Sequence, residues 1–238
     1  MKNKAGKWVL FKAAAVIILI VIIYCATTNF GASNAHQTGE GDHSSIKVAA
    51  VGDSITYGLM VNNWSDNAYP HQLAELLGEA YWVENFGANN YAAMKSADFP
   101  YADTEEYRNS LEFNPDIVII MLGTNDSKIN NWQGHEQFRE EYSELVDVYI
   151  DNEPGTEIYL ATPPKAFNEA DLPGDINNDN IDEITQIVKE VAAEKEAELI
   201  DINQLTQEKR QWFQLDGIHP NAEGSERIAE EVYQHIAE

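Results

Sequence analysis

The chain has 238 residues, 44% of them hydrophobic, which is enough for one globular domain of ordinary size with a full core. Its 15 Lys and Arg stand against 40 Asp and Glu, a formal charge of −25, and a field of that sign repels nucleic-acid phosphates, so no nucleic-acid partner is expected. The single cysteine, Cys25, lies inside an apolar N-terminal run, which excludes a disulfide or a cysteine-ligated metal from the remainder of the chain.

The N-terminal run has the order of an export leader. Met1 to Lys12 is basic, Ala13 to Ala26 is apolar, and small residues follow around Gly31 to Ala35. Residues 1–35 are therefore expected to be a signal peptide cleaved near Ser33-Asn34-Ala35 or, uncleaved, a short membrane tether over residues 8–26, interrupted by Lys12. Residues 36–45 are polar and read as a linker, leaving 46–238 as the folded domain.

From Ile46 onward, short β-branched runs alternate with helical patterns, the signature of a parallel sheet covered by helices. Strands are expected at Ile46–Val51, Tyr81–Phe86, Asp116–Leu122, Glu157–Ala161 and Glu198–Ile202, and helices at Tyr69–Leu77, Glu136–Ile150, Ile181–Ala197 and from Asn221 to the end. The unbroken apolar stretch from Ile117 to Leu122 predicts a central strand buried on both faces. Right-handed crossovers then give a three-layer α/β/α sandwich around a flavodoxin-like, parallel, five-stranded sheet. In such a sheet ligands collect beyond the carboxyl ends of the strands. Three polar clusters, Gly52-Asp53-Ser54, Phe86-Gly87-Ala88-Asn89 and Gly123-Thr124-Asn125-Asp126, each follow a predicted strand and should converge there.

A serine hydroxyl is a poor nucleophile unless a base takes its proton and a third group holds that base in the right tautomer. Among the six histidines, His219 has the setting for this task. Asp216-Gly217-Ile218-His219-Pro220 puts a carboxylate three residues before the imidazole, the glycine permits the turn, and Pro220 keeps His219 out of the following helix. Ser54, at the end of the first strand, is the matching hydroxyl, although alone it would read as a helix cap. Donors for a developing oxyanion are available from the backbone N–H groups of Ser54 and Gly87 and from the side-chain amide of Asn125.

These segments resemble, in order, the sequence blocks of the SGNH hydrolase superfamily, also called GDSL-like lipases or acylhydrolases. Gly52-Asp53-Ser54 resembles the first block, Gly87 within Asn85-Phe86-Gly87-Ala88-Asn89 the second, Gly123-Thr124-Asn125-Asp126 the third, and Asp216-Gly217-Ile218-His219-Pro220 the fifth. The resemblance runs from Ile46 to the C-terminus and implies a serine esterase that needs no metal or other cofactor. In that scheme Ser54 attacks an acyl carbonyl, His219 is general base and then general acid, Asp216 orients it, and Ser54, Gly87 and Asn125 hold the oxyanion. It also implies short acyl, often acetyl, esters on carbohydrate as substrates. The stretch from Asp126 to Trp132 is similar to the corresponding segment of sialate and xylan O-acetylesterases. Asp53, Asp126 and Trp132 are accordingly candidates for substrate contact, as are Trp64, Tyr57 and Tyr91 for stacking on a sugar ring, against ordinary roles in capping and packing.

Other functions leave weaker marks. A two-metal phosphoesterase lacks an Asp-x-His pair, dinucleotide and P-loop glycine motifs are missing, and so is the Gly-x-Ser-x-Gly elbow. Asp175-Ile176-Asn177-Asn178-Asp179 begins like a calcium loop but has Asn180 for the required glycine and Gln186 for the final glutamate, so a polar lip before a helix is expected. A lysophospholipase- or thioesterase-type acylhydrolase of the same fold and a catalytically silent carbohydrate-binding module remain as alternatives.

Overall fold

A computed structural model describes residues 45–167 and 175–237. The expected leader and most of the linker lie outside the described residues; within them, no helix is long and apolar enough to cross a membrane. Strands β1 (Ile46–Gly52), β2 (Tyr81–Gly87), β3 (Ile117–Met121), β4 (Glu157–Ala161) and β5 (Glu198–Ile200) form one sheet in the order β2-β1-β3-β4-β5. Every pairing is parallel. Helices α1 (Ser54–Tyr57), α2 (Trp64–Asn67), α3 (Tyr69–Leu77), α4 (Glu105–Glu112), α5 (His135–Asn152), α6 (Asn178–Lys195), α7 (Ile202–Thr206) and α8 (Ala222–Ile236) cover it.

Strand periodicity divides the core. Ala49 and Val51 of β1, Val118 and Ile120 of β3, and Ile158 and Leu160 of β4 face one way and pack with Phe138, Tyr142 and Leu145 of α5 and Ile184, Val188 and Val191 of α6. Val48, Ala50, Ile117, Ile119 and Tyr159 face the other way, onto Tyr69 and Leu73 of α3 and Ile228, Val232 and Ile236 of α8. Side chains of β3 are buried on both faces, as the apolar run from Ile117 requires. The result is the expected three-layer α/β/α sandwich.

Three elements differ from expectation for identifiable local reasons. The last strand stops at Ile200 because the Asp201 carboxylate accepts the N–H of Gln204 at 3.1 Å and starts α7 where strand had been expected. Helix α4 was not anticipated because Tyr107 and Leu111 are its only large apolar residues, yet Thr104 caps it through the N–H of Tyr107 at 2.9 Å. Helix α6 begins at Asn178, earlier than Ile181, since Asn177 accepts the N–H of Asn180 at 3.0 Å. The Asn178 side chain meanwhile pairs with the backbone of Ala166, so in the stretch that begins like a calcium loop the Asn177 and Asn178 side chains serve capping and loop bonding.

In this strand order successive strands are added to one side of β1 and then, from β3 onward, to the other, and the switch between β1 and β3 is the place where an open α/β sheet leaves a crevice. Gly52 stands in register with both Gly87 of β2 and Met121 of β3, so the segments after all three strands emerge side by side.

Candidate active site

The segment after β1 is built around Asp53. Its Oδ1 accepts the N–H of Ile55 at 2.9 Å, capping α1 and fixing Ser54 as the first residue of a one-turn helix. Gly58 ends that turn at φ 89°, and its N–H returns to the Ser54 carbonyl at 3.1 Å. Helix α1 lies so close to β2 that a methyl group on Gly87 would stand 2.2 Å from the backbone nitrogen of Tyr57; only glycine is tolerated there.

The histidine arrives from the far end of the chain on a loop braced at several points. Gln214 N–H donates to the His219 carbonyl at 2.8 Å, Gly217 turns the chain at φ 73°, and the N–H of Phe167 holds the Gly217 carbonyl at 2.8 Å. Asp216 Oδ1 accepts the N–H groups of Ile218 and His219, at 2.9 and 3.1 Å, leaving its Oδ2 at 2.6 Å from His219 Nδ1. The other ring nitrogen, Nε2, lies 2.9 Å from Ser54 Oγ, although the two residues are 165 apart in sequence. Partial burial works to raise the Asp216 carboxyl. The imidazole beside it and the two amides outweigh that, and its pKa falls below the usual carboxylate range.

The remaining predicted residues gather at the same edge with distinct surroundings. Asn125 is buried; its Nδ2 donates to the Tyr91 carbonyl at 3.0 Å and lies 3.5 Å from Asp53 Oδ2. The Gly87 N–H is held by Asn85 Oδ1 at 2.9 Å, and the Asn85 amide in turn donates to the Thr56 carbonyl, a clamp that sequence spacing did not reveal. Asp126 is fully buried and accepts the N–H groups of Ala93 and Met94, at 3.0 and 2.8 Å, pinning the loop after β2. Both Asp53 and Asp126 thus turn their carboxylates toward backbone amides. Burial pushes each of them up to about 6, against the lowering effect of those amides. Trp132 packs against the core, its ring 6.0 Å from that of Phe138, whereas Tyr57 and Trp64 stack on each other with centroids 5.2 Å apart. Among the described residues, no three His, Cys, Asp or Glu side chains come together as a metal cage.

Chemically, a hydroxyl in line with an imidazole, itself in line with a carboxylate, can lose its proton and become a nucleophile. An α/β/α sandwich that seats such a chain of groups at its switch point, with amide donors alongside, offers the groups that acyl transfer requires. The GDSL-like lipase/acylhydrolase family model matches residues 50–227, and the chain belongs to that family. An acetylxylan esterase of Xylanibacter ruminicola is 36% identical over 203 residues, an alignment covering 78% of this chain and 42% of the relative, so this chain spans less than half of that protein's length. The uncharacterized protein YpmR of Bacillus subtilis is 25% identical, with 94% of this chain and 93% of the relative aligned. Among solved structures, Est24, a carbohydrate acetylesterase from Sinorhizobium meliloti, superposes with a TM-score of 0.67 at 19% identity, covering 81% of this chain and 99% of that one; this likeness is one of fold.

Proposed function

We propose that this protein is a serine esterase that removes short acyl groups, acetyl above all, from oxygen esters on carbohydrate. The observation that carries the proposal is the unbroken line from Ser54 Oγ through both nitrogens of His219 to Asp216, with separations of 2.9 and 2.6 Å. His219 takes the Ser54 proton as the oxygen adds to the ester carbonyl, then passes it to the leaving alcohol. Water repeats the cycle on the acyl-enzyme. Asp216, kept ionised by its neighbours, fixes the ring with Nε2 toward Ser54 and stabilises the imidazolium.

The oxyanion is assigned to the Ser54 N–H and to one N–H of the Asn125 amide, which exchanges its long 3.5 Å contact with Asp53 for the substrate oxygen while the bond to the Tyr91 carbonyl keeps the amide in place. Gly87 joins them when its N–H is shared between substrate and Asn85, or when Asn85 turns aside. Support for an acetylated sugar as substrate comes from the acetylxylan esterase relative and from the fold neighbour. The basic-then-apolar leader supports export, by cleavage or as a tether, which would put the enzyme where polymeric carbohydrate lies outside the cell.

The test is hydrolysis of p-nitrophenyl acetate by the purified protein in the presence of EDTA. Robust turnover that disappears in Ser54→Ala, with the circular dichroism spectrum unchanged, is expected. Equal turnover in that variant overturns the proposal, and loss of wild-type turnover in EDTA would instead favour metal-assisted hydrolysis.

A further inference from the structure

Single exposed apolar side chains are ordinary on a protein surface, but several gathered at one edge mark a place where something binds. Three exposed ones stand beside the candidate site: Leu215 is 97% exposed, Met60 52% and Trp64 38%. Leu215 is the residue immediately before Asp216, and its backbone is not loose. Its carbonyl accepts from Arg210 Nη2 at 3.2 Å, and the preceding Gln214 is held at both its N–H and its carbonyl. A rigid backbone therefore presents a leucine to solvent.

Met60 and Trp64 are brought to the same edge. The Gln214 side chain donates to the Met60 carbonyl at 2.9 Å, joining the loop after α1 to the loop that carries His219. Trp64 lies within a turn of the nucleophile, since a methyl group on Gly58 would be 3.7 Å from its Cβ and the Gly58 N–H bonds the Ser54 carbonyl. Tyr57 supports one face of the indole, with rings 19° from parallel, and His71 lies beside it with centroids 6.0 Å apart, leaving Trp64 38% exposed.

Charge narrows what this rim meets. Residues 54–65 and 211–215 contain no Asp, Glu, Lys or Arg in a chain where 23% of residues are charged. The apolar groups are also interleaved with exposed amides, Asn62 and Asn63, rather than fused into one greasy patch; the Asn63 amide donates to the Asp66 carboxylate, which marks the charged margin of the rim. Alternating flat apolar surface and neutral hydrogen-bonding groups complements a sugar ring, which has C–H faces and hydroxyl edges. We propose that Trp64, Met60 and Leu215, with Asn62 and Asn63, form the subsite that holds a neutral sugar chain against the Ser54–His219 pair. This assignment rests on the esterase function proposed above and adds to it where the sugar lies.

The test compares two substrates in the full chain. Chemically acetylated xylotetraose reaches the rim; p-nitrophenyl acetate is too small to use it. Trp64→Ala is expected to raise KM for the oligosaccharide roughly tenfold, and Leu215→Ser about threefold, with kcat little changed and a smaller loss on p-nitrophenyl acetate. Trp64→Phe should restore most of the loss by returning a flat ring. Leu215→Ser disturbs no packing, so its result stands even where Trp64→Ala weakens the fold. Equal losses on both substrates, or none on either, overturn the rim. So does binding of phosphatidylcholine vesicles that vanishes in Leu215→Ser without any change toward the oligosaccharide, which would make the rim a lipid contact. A wild-type chain inactive on both substrates overturns the esterase function itself, a result distinct from an active enzyme whose variants do not discriminate.

Discussion

Asp216 and the pair formed by Asp53 and Asp126 all stand at the carboxyl edge of one sheet, yet they are acids of two kinds. Asp216 is partly buried, shares an oxygen with an imidazole, and is held below the ordinary carboxylate range. Asp53 and Asp126 are almost completely buried, meet mainly backbone amides, and titrate at about 6. Burial penalises all three. What separates them is how deep that burial goes and whether an imidazole is hydrogen-bonded to the carboxylate. Asp216 is accordingly suited to orient a base, whereas Asp53 and Asp126 shape the loops that present Ser54, Asn125 and the segment after β2.

Breaking the first kind of acid should have the larger effect on turnover. Asp216→Asn keeps the size of the side chain but replaces an ionic acceptor with an amide, so His219 loses its preferred tautomer; kcat is expected to fall by roughly 10³- to 10⁴-fold with thermal stability little altered. Steady-state kinetics on p-nitrophenyl acetate checks this, and a loss below tenfold would reduce Asp216 to a loop former. Next in size is Asn125→Ala, which removes one of the proposed oxyanion donors and should lower kcat by about 10²- to 10³-fold while KM moves little.

The second kind of acid should reveal itself in stability. A carboxyl raised from 3.8 to about 6 keeps its proton in the fold after the unfolded chain has lost it. Within that window the native state binds more protons, so the contribution of Asp53 and Asp126 to stability declines as pH rises from about 4 to about 6 and is level above. Asp216 has the opposite sign, its contribution being present above the ordinary carboxylate range and lost as pH falls through its depressed pKa. Asp126→Asn should therefore flatten the fall in thermal midpoint between about pH 4 and 6, while lowering the midpoint overall because an amide oxygen cannot replace both carboxylate acceptors for Ala93 and Met94. Calorimetry across that range measures both, and an unchanged slope would refute the raised carboxyl.

Much of this was legible in the chain itself, for reasons that can be stated residue by residue. The apolar run from Ile117 could only be a central strand, and Tyr69–Leu77 has helical spacing bounded by Gly78, so both emerge where expected. Asp216 and His219 lie three residues apart around a glycine, a local arrangement that spacing encodes directly. Contacts that follow no regular spacing left no such trace. Nothing in the sequence ties Phe167 to Gly217, and no periodicity announces that Trp132 would pack on Phe138. Asn85 is an intermediate case, since an asparagine two places before a tightly packed glycine is visible, but its grip on the Gly87 amide depends on α1 lying alongside.

The central claim is that Ser54 acts as a nucleophile because His219 removes its proton, and a fluorophosphonate probe tests it most directly. Intact-mass and peptide analysis should find one adduct per chain, on Ser54, formed rapidly in the wild type and at least about a hundredfold more slowly in His219→Ala. An active enzyme that carries no adduct, that carries it on another residue, or that is labelled equally fast without His219 would contradict the account.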